Sequence, residues 1–489
     1  MATLETREIT VLEQVPKDLL IGGTWRPARG GGTLQVEDPS TGETIAEVAD
    51  AQAQDALDAL SAAAEAQTTW AQHPPRERGE ILRRVYEQLS ERIDELALLM
   101  TLEMGKALAE SRAEIAYAAE FFRWFSEESV RIHGRYMTSP NGSGRLLTMH
   151  RPVGPCVFVT PWNFPAAMGA RKIAPAVAAG CTMVVKPAKQ TPLSMFALAQ
   201  ILQQAGLPDG VLNVICASKA GAVVEPLLKD PRTRKLSFTG STEVGRALIE
   251  QSAQQVLRVS MELGGNAPFI VFEDANLDDA IEGAMLAKMR NVGEACTAAN
   301  RFLVAEPLAD EFGARLAQRM AAQKVGRGTA DDAQVGPLID SAAREKVQEL
   351  VDDALGGGAK ALAGGRAIDG PGWFYEPTVL SQVPPHARVL GEEIFGPVAP
   401  IVTFGSEQEA IEIANATEYG LVAYLYTNDL RRAFRVSETI EFGMVGLNQG
   451  IVSNPAAPFG GVKQSGFGRE GGFEGIEEYL ETKYVALAL

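Results

Sequence analysis

Cys296 lies in Gly293-Glu-Ala-Cys-Thr, on a Gly-flanked loop just past a helical stretch that ends near Arg290. A thiol placed there can attack a carbonyl carbon. With an ordinary pKa near ~8.5 it is only a few per cent thiolate at neutral pH, so attack needs a depressed pKa or a nearby base. Taken alone, Cys296 reads more simply as a small buried apolar residue. Glu262, in Ser260-Met-Glu-Leu-Gly-Gly-Asn266, shifts that balance. A carboxylate between a strand and a Gly-Gly turn is poorly solvated, which raises its pKa toward the range of a general base. Its plainer reading is a strand-end acid capping the Gly264 or Gly265 amides. Asn163 in Thr160-Pro-Trp-Asn-Phe-Pro165 is held in a rigid corner by two prolines, from which an amide can stabilise an oxyanion or simply make a turn.

A nucleotide site is the natural companion of such a set. Gly240-Ser-Thr-Glu-Val-Gly245 follows a strand ending at Phe238 and opens a helix whose amides suit a pyrophosphate, although Ser241 and Thr242 as a capping box explain it equally well. Lys186-Pro-Ala-Lys189 ends another strand, where Lys186 reaches ribose or phosphate oxygens unless it is merely solvated.

The elements that must position these residues are legible in the pattern. Residues 20 to 50 read as short strands and turns, and two helices follow. Leu82, Val85, Leu89, Ile93 and Leu96 mark one apolar face of the second. From residue 155, apolar runs alternate with helical stretches: Cys156 to Thr160, Met183 to Lys186, Val211 to Ile215, Leu236 to Phe238 and Pro268 to Phe272. That βαβα order predicts a parallel sheet covered by helices, with ligands beyond the C-terminal strand ends. Two strand segments lack local partners: a hairpin between Gly134 and Pro152 around Asn141-Gly142, and the chain end from Glu478. They are expected to pair with each other or across a subunit boundary.

Composition limits the function classes. The 489 residues suggest two to four domains, and 22% charged with 46% hydrophobic residues is ordinary for a soluble enzyme. Sixty-two acids against forty-five bases give a net charge of −17, which disfavours nucleic acid and anionic membranes and requires local cations for any anionic substrate. The longest apolar stretch, Ile173 to Val185, is broken by Pro175 and Gly180 and is too short for a membrane span. Four unpaired cysteines and a start without a basic or apolar leader point to the cytoplasm. His73, His133, His150 and His386 stand in unrelated contexts, so no metal site is expected.

Pro161-Trp-Asn-Phe, Phe238-Thr-Gly-Ser-Thr, Glu262-Leu-Gly-Gly, the Cys296 loop, Glu393-Ile-Phe-Gly-Pro and Pro458-Phe-Gly-Gly occur in the order seen in the aldehyde dehydrogenase superfamily, which the chain resembles over essentially its whole length. The resemblance implies Cys296 as nucleophile, Asn163 and the Cys296 amide as oxyanion hole, Glu262 as base for the deacylating water, and Lys172 with Glu470 as a proton relay. It implies cofactor contacts at Thr160, Pro161, Trp162, Lys186, Lys189, Gly240, Ser241, Gly245, Leu263, Glu393 and Phe395. The implied architecture is α/β: a parallel-sheet NAD(P)-binding domain (residues 1–129 and 152–264), an α/β catalytic domain (265–469), and a small β oligomerisation segment (130–151 and 470–489) bridging a homo-oligomer, dimer or tetramer.

Within the superfamily, Arg234-Lys-Leu-Ser-Phe-Thr-Gly and Gly460-Gly-Val-Lys-Gln-Ser-Gly-Phe-Gly-Arg-Glu-Gly look most like succinate-semialdehyde dehydrogenases. That subgroup implies a substrate-carboxylate set at Arg171, Arg290 and Ser453, where the alternative is surface pairing of two helix arginines. Ala298 stands where some members carry a second cysteine, so no disulfide switch is expected. Lys189 replaces the Glu by which NAD-preferring relatives hold the adenosine ribose, so NADP is expected to serve at least as well as NAD. Glutarate or 2-oxoglutarate semialdehyde is the rival substrate, and a non-catalytic cofactor-binding scaffold the rival class.

Overall fold

The computed structural model describes residues 4–488. Residues 1–3, part of the stretch read as lacking a leader, and residue 489, the end of the expected bridging segment, lie outside the described residues. Among the described residues no helix is long and apolar enough to cross a membrane.

The first of two large sheets has eight strands in the order Gly466–Phe467, Arg258–Glu262, Lys235–Thr239, Cys156–Val159, Met183–Lys186, Leu212–Val214, Leu19–Ile21, Thr24–Arg26. The five strands from Arg258–Glu262 to Leu212–Val214 are parallel, and the outer pairings are antiparallel. Cys156–Val159 and Met183–Lys186 are buried throughout, as strands covered on both faces must be. From Cys156–Val159 the chain builds outward to Leu212–Val214, then crosses back to lay Lys235–Thr239 on the other side. The gap between these two strands is therefore the topological switch point, and a crevice opens beyond their carboxyl ends. Thr160-Pro-Trp-Asn163 and Gly240-Ser241 are the residues that leave those two ends.

The second sheet has seven strands: Lys360–Ala363, Thr378–Ser381, Val398–Phe404, Ala299–Ala305, Ala267–Val271, Val422–Tyr426 and Met444–Leu447, parallel except for the first pairing. Leu480–Leu487 and Arg135–Thr138 flank Arg145–Pro152 in an antiparallel three-stranded sheet, so the two unpartnered segments pair within one chain.

Two local features differ from expectation. The apolar series Leu82 to Leu96 spans two helices, Pro75–Glu91 and Ile93–Met104, because Arg92 leaves helical geometry (φ −103°, ψ 19°). Asp94 and Glu95 then start the new helix, where acids suit its positive end. The Gly240 turn is no capping box: Ser241 caps Thr242–Ala253 by accepting from the Val244 amide, and Val244 cannot return the bond.

Candidate active site

The Cys296 loop leaves helix Leu277–Met289 through three consecutive left-handed residues, Asn291 (φ 53°), Val292 (φ 58°) and Gly293 (φ 78°). That conformation is costly for a β-branched valine, and at Gly293 a Cβ would meet the Gly396 carbonyl oxygen at 2.3 Å. Strain of this kind persists only where the surroundings over-determine the turn. Here they do. The Glu294 carbonyl accepts from Asn163 Nδ2 (3.0 Å) and Asn291 Nδ2 (2.9 Å), while its carboxylate takes the Ile339 amide. The Asn163 carbonyl in turn accepts from Asn291 Nδ2 (3.0 Å) and Lys106 Nζ (2.8 Å). The Cys296 loop and the Pro-Trp-Asn corner are thus one hydrogen-bonded block.

Asn163 gives one amide hydrogen to Glu294 and so retains a second donor. Among the described residues no acceptor takes the Cys296 amide. The half-buried Cys296 thiol is pushed up to about 12, first by burial and then by the Glu393 and Glu262 carboxylates, against the pull of Arg171 and Arg290. Glu262, at the end of its strand, is buried with Oε2 unpaired. Burial and the neighbouring Glu470 raise its carboxyl well above the usual range, against Arg171 and Lys172.

Glu470 is the hub of a buried ionic cluster. Its two oxygens meet Lys172 Nζ at 2.5 Å and Arg171 Nε at 2.7 Å, and Lys172 also donates to Thr239 Oγ1 at 2.7 Å. Burial works against its charge, but Lys172 and then Arg171 hold the carboxyl below its ordinary value. Arg171 is 2% exposed, with its guanidinium 3.8 Å from the Phe459 ring centroid, which disposes of the surface-pairing alternative. Its Nη2 is buried without a partner. Arg290 stacks on Phe164 (4.9 Å) and reaches Ser453 Oγ at 3.4 Å.

Two cavities flank the Asn163-Phe164 corner. One, of 270 Å³, is lined by Pro161, Trp162, Asn163, Gly240, Ser241, Leu263, Cys296, Glu393 and Phe395. Glu393 Oε1 accepts from the Gly265 amide (3.1 Å), and burial pushes its carboxyl up to about 7. Phe395, itself left-handed (φ 56°), sets its ring edge-on to Trp162 at 5.5 Å. The other cavity, of 540 Å³, contains Tyr117, Phe164, Arg290 and Ser453. Lys189 is exposed on a third, of 380 Å³, together with Ser218 and Gln35. Thr160 Oγ1 is buried and unpaired, and Lys186 is buried at its strand end with its pKa lowered by burial. Gly245 permits close packing of helix on strand, since a Cβ there would meet Leu263 Cδ2 at 2.4 Å. Orphaned donors at the switch point and a cleft running past Cys296 fit a dinucleotide.

Sequence reasoning missed Lys106, Glu114, Tyr117, Asn291 and Glu294. The one available signal was Gly105-Lys106: Gly105 (φ 88°) stops a helix and delivers a lysine into an apolar surrounding.

A profile of the Aldehyde dehydrogenase family matches residues 25–485. The chain is 61% identical over 444 residues to a succinate-semialdehyde dehydrogenase of Paenarthrobacter nicotinovorans, covering 91% of this chain and 99% of the relative. It is 49% identical over 469 residues to a glutarate-semialdehyde dehydrogenase of Pseudomonas putida, covering 96% and 97%. The crystal structure of an NADP-dependent enzyme from E. coli superposes with a TM-score of 0.96 at 48% identity, covering 97% of this chain and 98% of that one.

Proposed function

The chain belongs to the aldehyde dehydrogenase family and is an NAD(P)-dependent enzyme of that class, and from this premise we propose that its substrate is a short aldehyde bearing a carboxylate, succinate semialdehyde first. One observation carries the substrate reading. Arg171 pairs with Glu470 through Nε and leaves Nη2 buried and unpaired, while Arg290 and Ser453 converge on the neighbouring cavity. In a chain of charge −17, such cations serve a small anion. Comparing kcat/KM for succinate semialdehyde, glutarate semialdehyde and butanal tests it. A preference for butanal overturns it, and a preference for the five-carbon acid reassigns the chain length.

In this reading Cys296 Sγ gives its proton to the neighbouring Glu262 carboxylate, which releases it before the water step, and bonds to the aldehyde carbon; the resulting oxyanion is held by Asn163 Nδ2 and the Cys296 amide. A dinucleotide held by Thr160, Lys186, Ser241, Glu393 and Phe395 would supply the acceptor for the hydride that the former carbonyl carbon gives up, leaving a thioester on Cys296. Water then adds to the thioester carbon as Glu262 takes its proton. The C–S bond breaks, the acid leaves, and Cys296 recovers a thiol. Lys172 and Glu470, paired with each other and close enough to act on the Glu262 charge, form a buried ionic cluster suited to pass the proton on.

We assign residues 1–129 and 152–264 to the cofactor domain, 265–469 to the catalytic domain, and 130–151 with 470–489 to an oligomerisation segment. The exposed Tyr136, Met137 and Tyr484 on the three-stranded sheet support a homo-oligomer, dimer or tetramer, which sedimentation analysis would measure. Four free cysteines support a reducing compartment, the cytoplasm. Lys189 supports NADP over NAD.

A further inference from the structure

The larger cavity holds a polar group to which this chemistry assigns no work. Glu110, Ala113, Glu114 and Tyr117 stand at helical spacing on one face of helix Leu108–Glu128 and line the cavity that also receives Arg290 and Ser453. The Tyr117 ring is fixed edge-on against Phe121, with centroids 5.0 Å apart. Its hydroxyl is buried and makes no well-formed hydrogen bond within the protein, although Ser453 lies beside it. Both Arg171 and Arg290 are close enough for their charges to act on that hydroxyl. A buried tyrosine hydroxyl normally finds a partner, and this one belongs to a residue lining the cavity that receives Arg290 and Ser453, with Arg171 close behind.

We propose that Tyr117 determines specificity, its hydroxyl donating to the carboxylate of the substrate alongside Arg290, Ser453 and the free Nη2 of Arg171. The inference rests on the carboxylated-aldehyde reading and sharpens it. Glu470 already neutralises much of the Arg171 charge, so the two arginines alone make a weak anion site. A phenol adds a donor without adding charge and stays protonated, because burial pushes its pKa up. It also works by exclusion: an uncharged aldehyde leaves the hydroxyl, Ser453 and the guanidinium edge unpaired, and discrimination is strongest where a site's buried donors would be stranded.

Tyr117→Phe removes only the hydroxyl and keeps the packing on Phe121. Steady-state kinetics with succinate semialdehyde and butanal, and competitive inhibition by succinate, form the test. The expected result is a fall of roughly tenfold in the kcat/KM ratio of semialdehyde to butanal, carried by KM rather than kcat, with succinate inhibition weakened by a similar factor. A wild type that discriminates between the two aldehydes and a variant that discriminates equally well overturns the role of Tyr117 alone. Equal losses on both aldehydes, with succinate inhibition intact, also overturn it, since they are the mark of a packing residue. A wild type that does not prefer the charged aldehyde overturns the substrate reading and this inference with it.

Discussion

Lys106 Nζ donates at once to Glu114 Oε2 (2.5 Å) and to the backbone carbonyl of Asn163 (2.8 Å), in a pocket where both charged side chains are 1% exposed. Glu114 spends its other oxygen on the Ala166 and Ala167 amides, at the start of the helix that carries Arg171 and Lys172. One ion pair thus fixes both the Pro-Trp-Asn corner and the start of the helix bearing Arg171 and Lys172. Lys106→Met strands Glu114 as an uncompensated buried charge and should cost about 3–5 kcal/mol in urea unfolding. Adding Glu114→Gln should restore part of that stability. It should not restore turnover, because the Asn163 carbonyl keeps only the Asn291 donor and lacks Lys106. A remaining loss of about tenfold in kcat is expected, less than the 10²–10³-fold of removing an oxyanion donor outright. Full activity in the double variant would refute the link.

Glu262 ties activity to instability. In the folded chain its carboxyl titrates well above its ordinary value, because burial and Glu470 disfavour the charge. Between the unfolded and folded values the native state holds a proton that the unfolded state has lost. Stability therefore falls as pH rises through that window. Glu262→Gln abolishes this term, so the variant should unfold at higher urea than wild type at pH 8, and the advantage should vanish near pH 4. The same variant should lose roughly 10²–10⁴-fold in kcat and accumulate a thioester visible by intact-protein mass. A variant less stable at pH 8, or one with no acyl enzyme, contradicts the assignment.

The free thiol should behave as a thiol, not a thiolate. With Cys296 pushed up to about 12, the rate of iodoacetamide alkylation should rise about tenfold for each pH unit between 7 and 9. Cys156, Cys181 and Cys216 are fully buried and should not contribute. A rate that levels off below pH 8 would show that Arg171 and Arg290 outweigh burial.

What the sequence revealed, and what it hid, follows from the range of the forces involved. The alternating strands and helices from Cys156 to Phe272 were legible because each is a local pattern of apolar residues read against turns. Glu262 was legible as a poorly solvated acid because a Gly-Gly turn follows it, and Asn163 as an amide in a rigid corner because prolines bracket it. The break at Arg92 was hidden, since the apolar spacing continues across it. So was the burial of Arg171, which depends on Glu470, distant in sequence, arriving to pair with it. Glu114 and Tyr117 were hidden for the same reason: on an amphipathic helix a charged or phenolic side chain looks solvated until the opposing element is known, and Lys106, in the link between two helices, found its partner only through that helix.

Lys189 offers the most direct test of cofactor choice. It is exposed on a cavity that also receives Ser218 and the acids Glu37 and Asp340, so the lining of that cavity already carries negative charge. A cation beside it can neutralise a 2′-phosphate, whereas a carboxylate would repel the phosphate and accept instead from free ribose hydroxyls. Lys189→Glu should therefore lower the kcat/KM ratio of NADP to NAD by roughly 10- to 150-fold, the range of one charge-assisted hydrogen bond. Most of the change should lie in KM, because the adenosine end of the cofactor is bound equally in ground and transition states. A wild type strongly selective for NAD, or a ratio unmoved by the substitution, would remove Lys189 from the cofactor site.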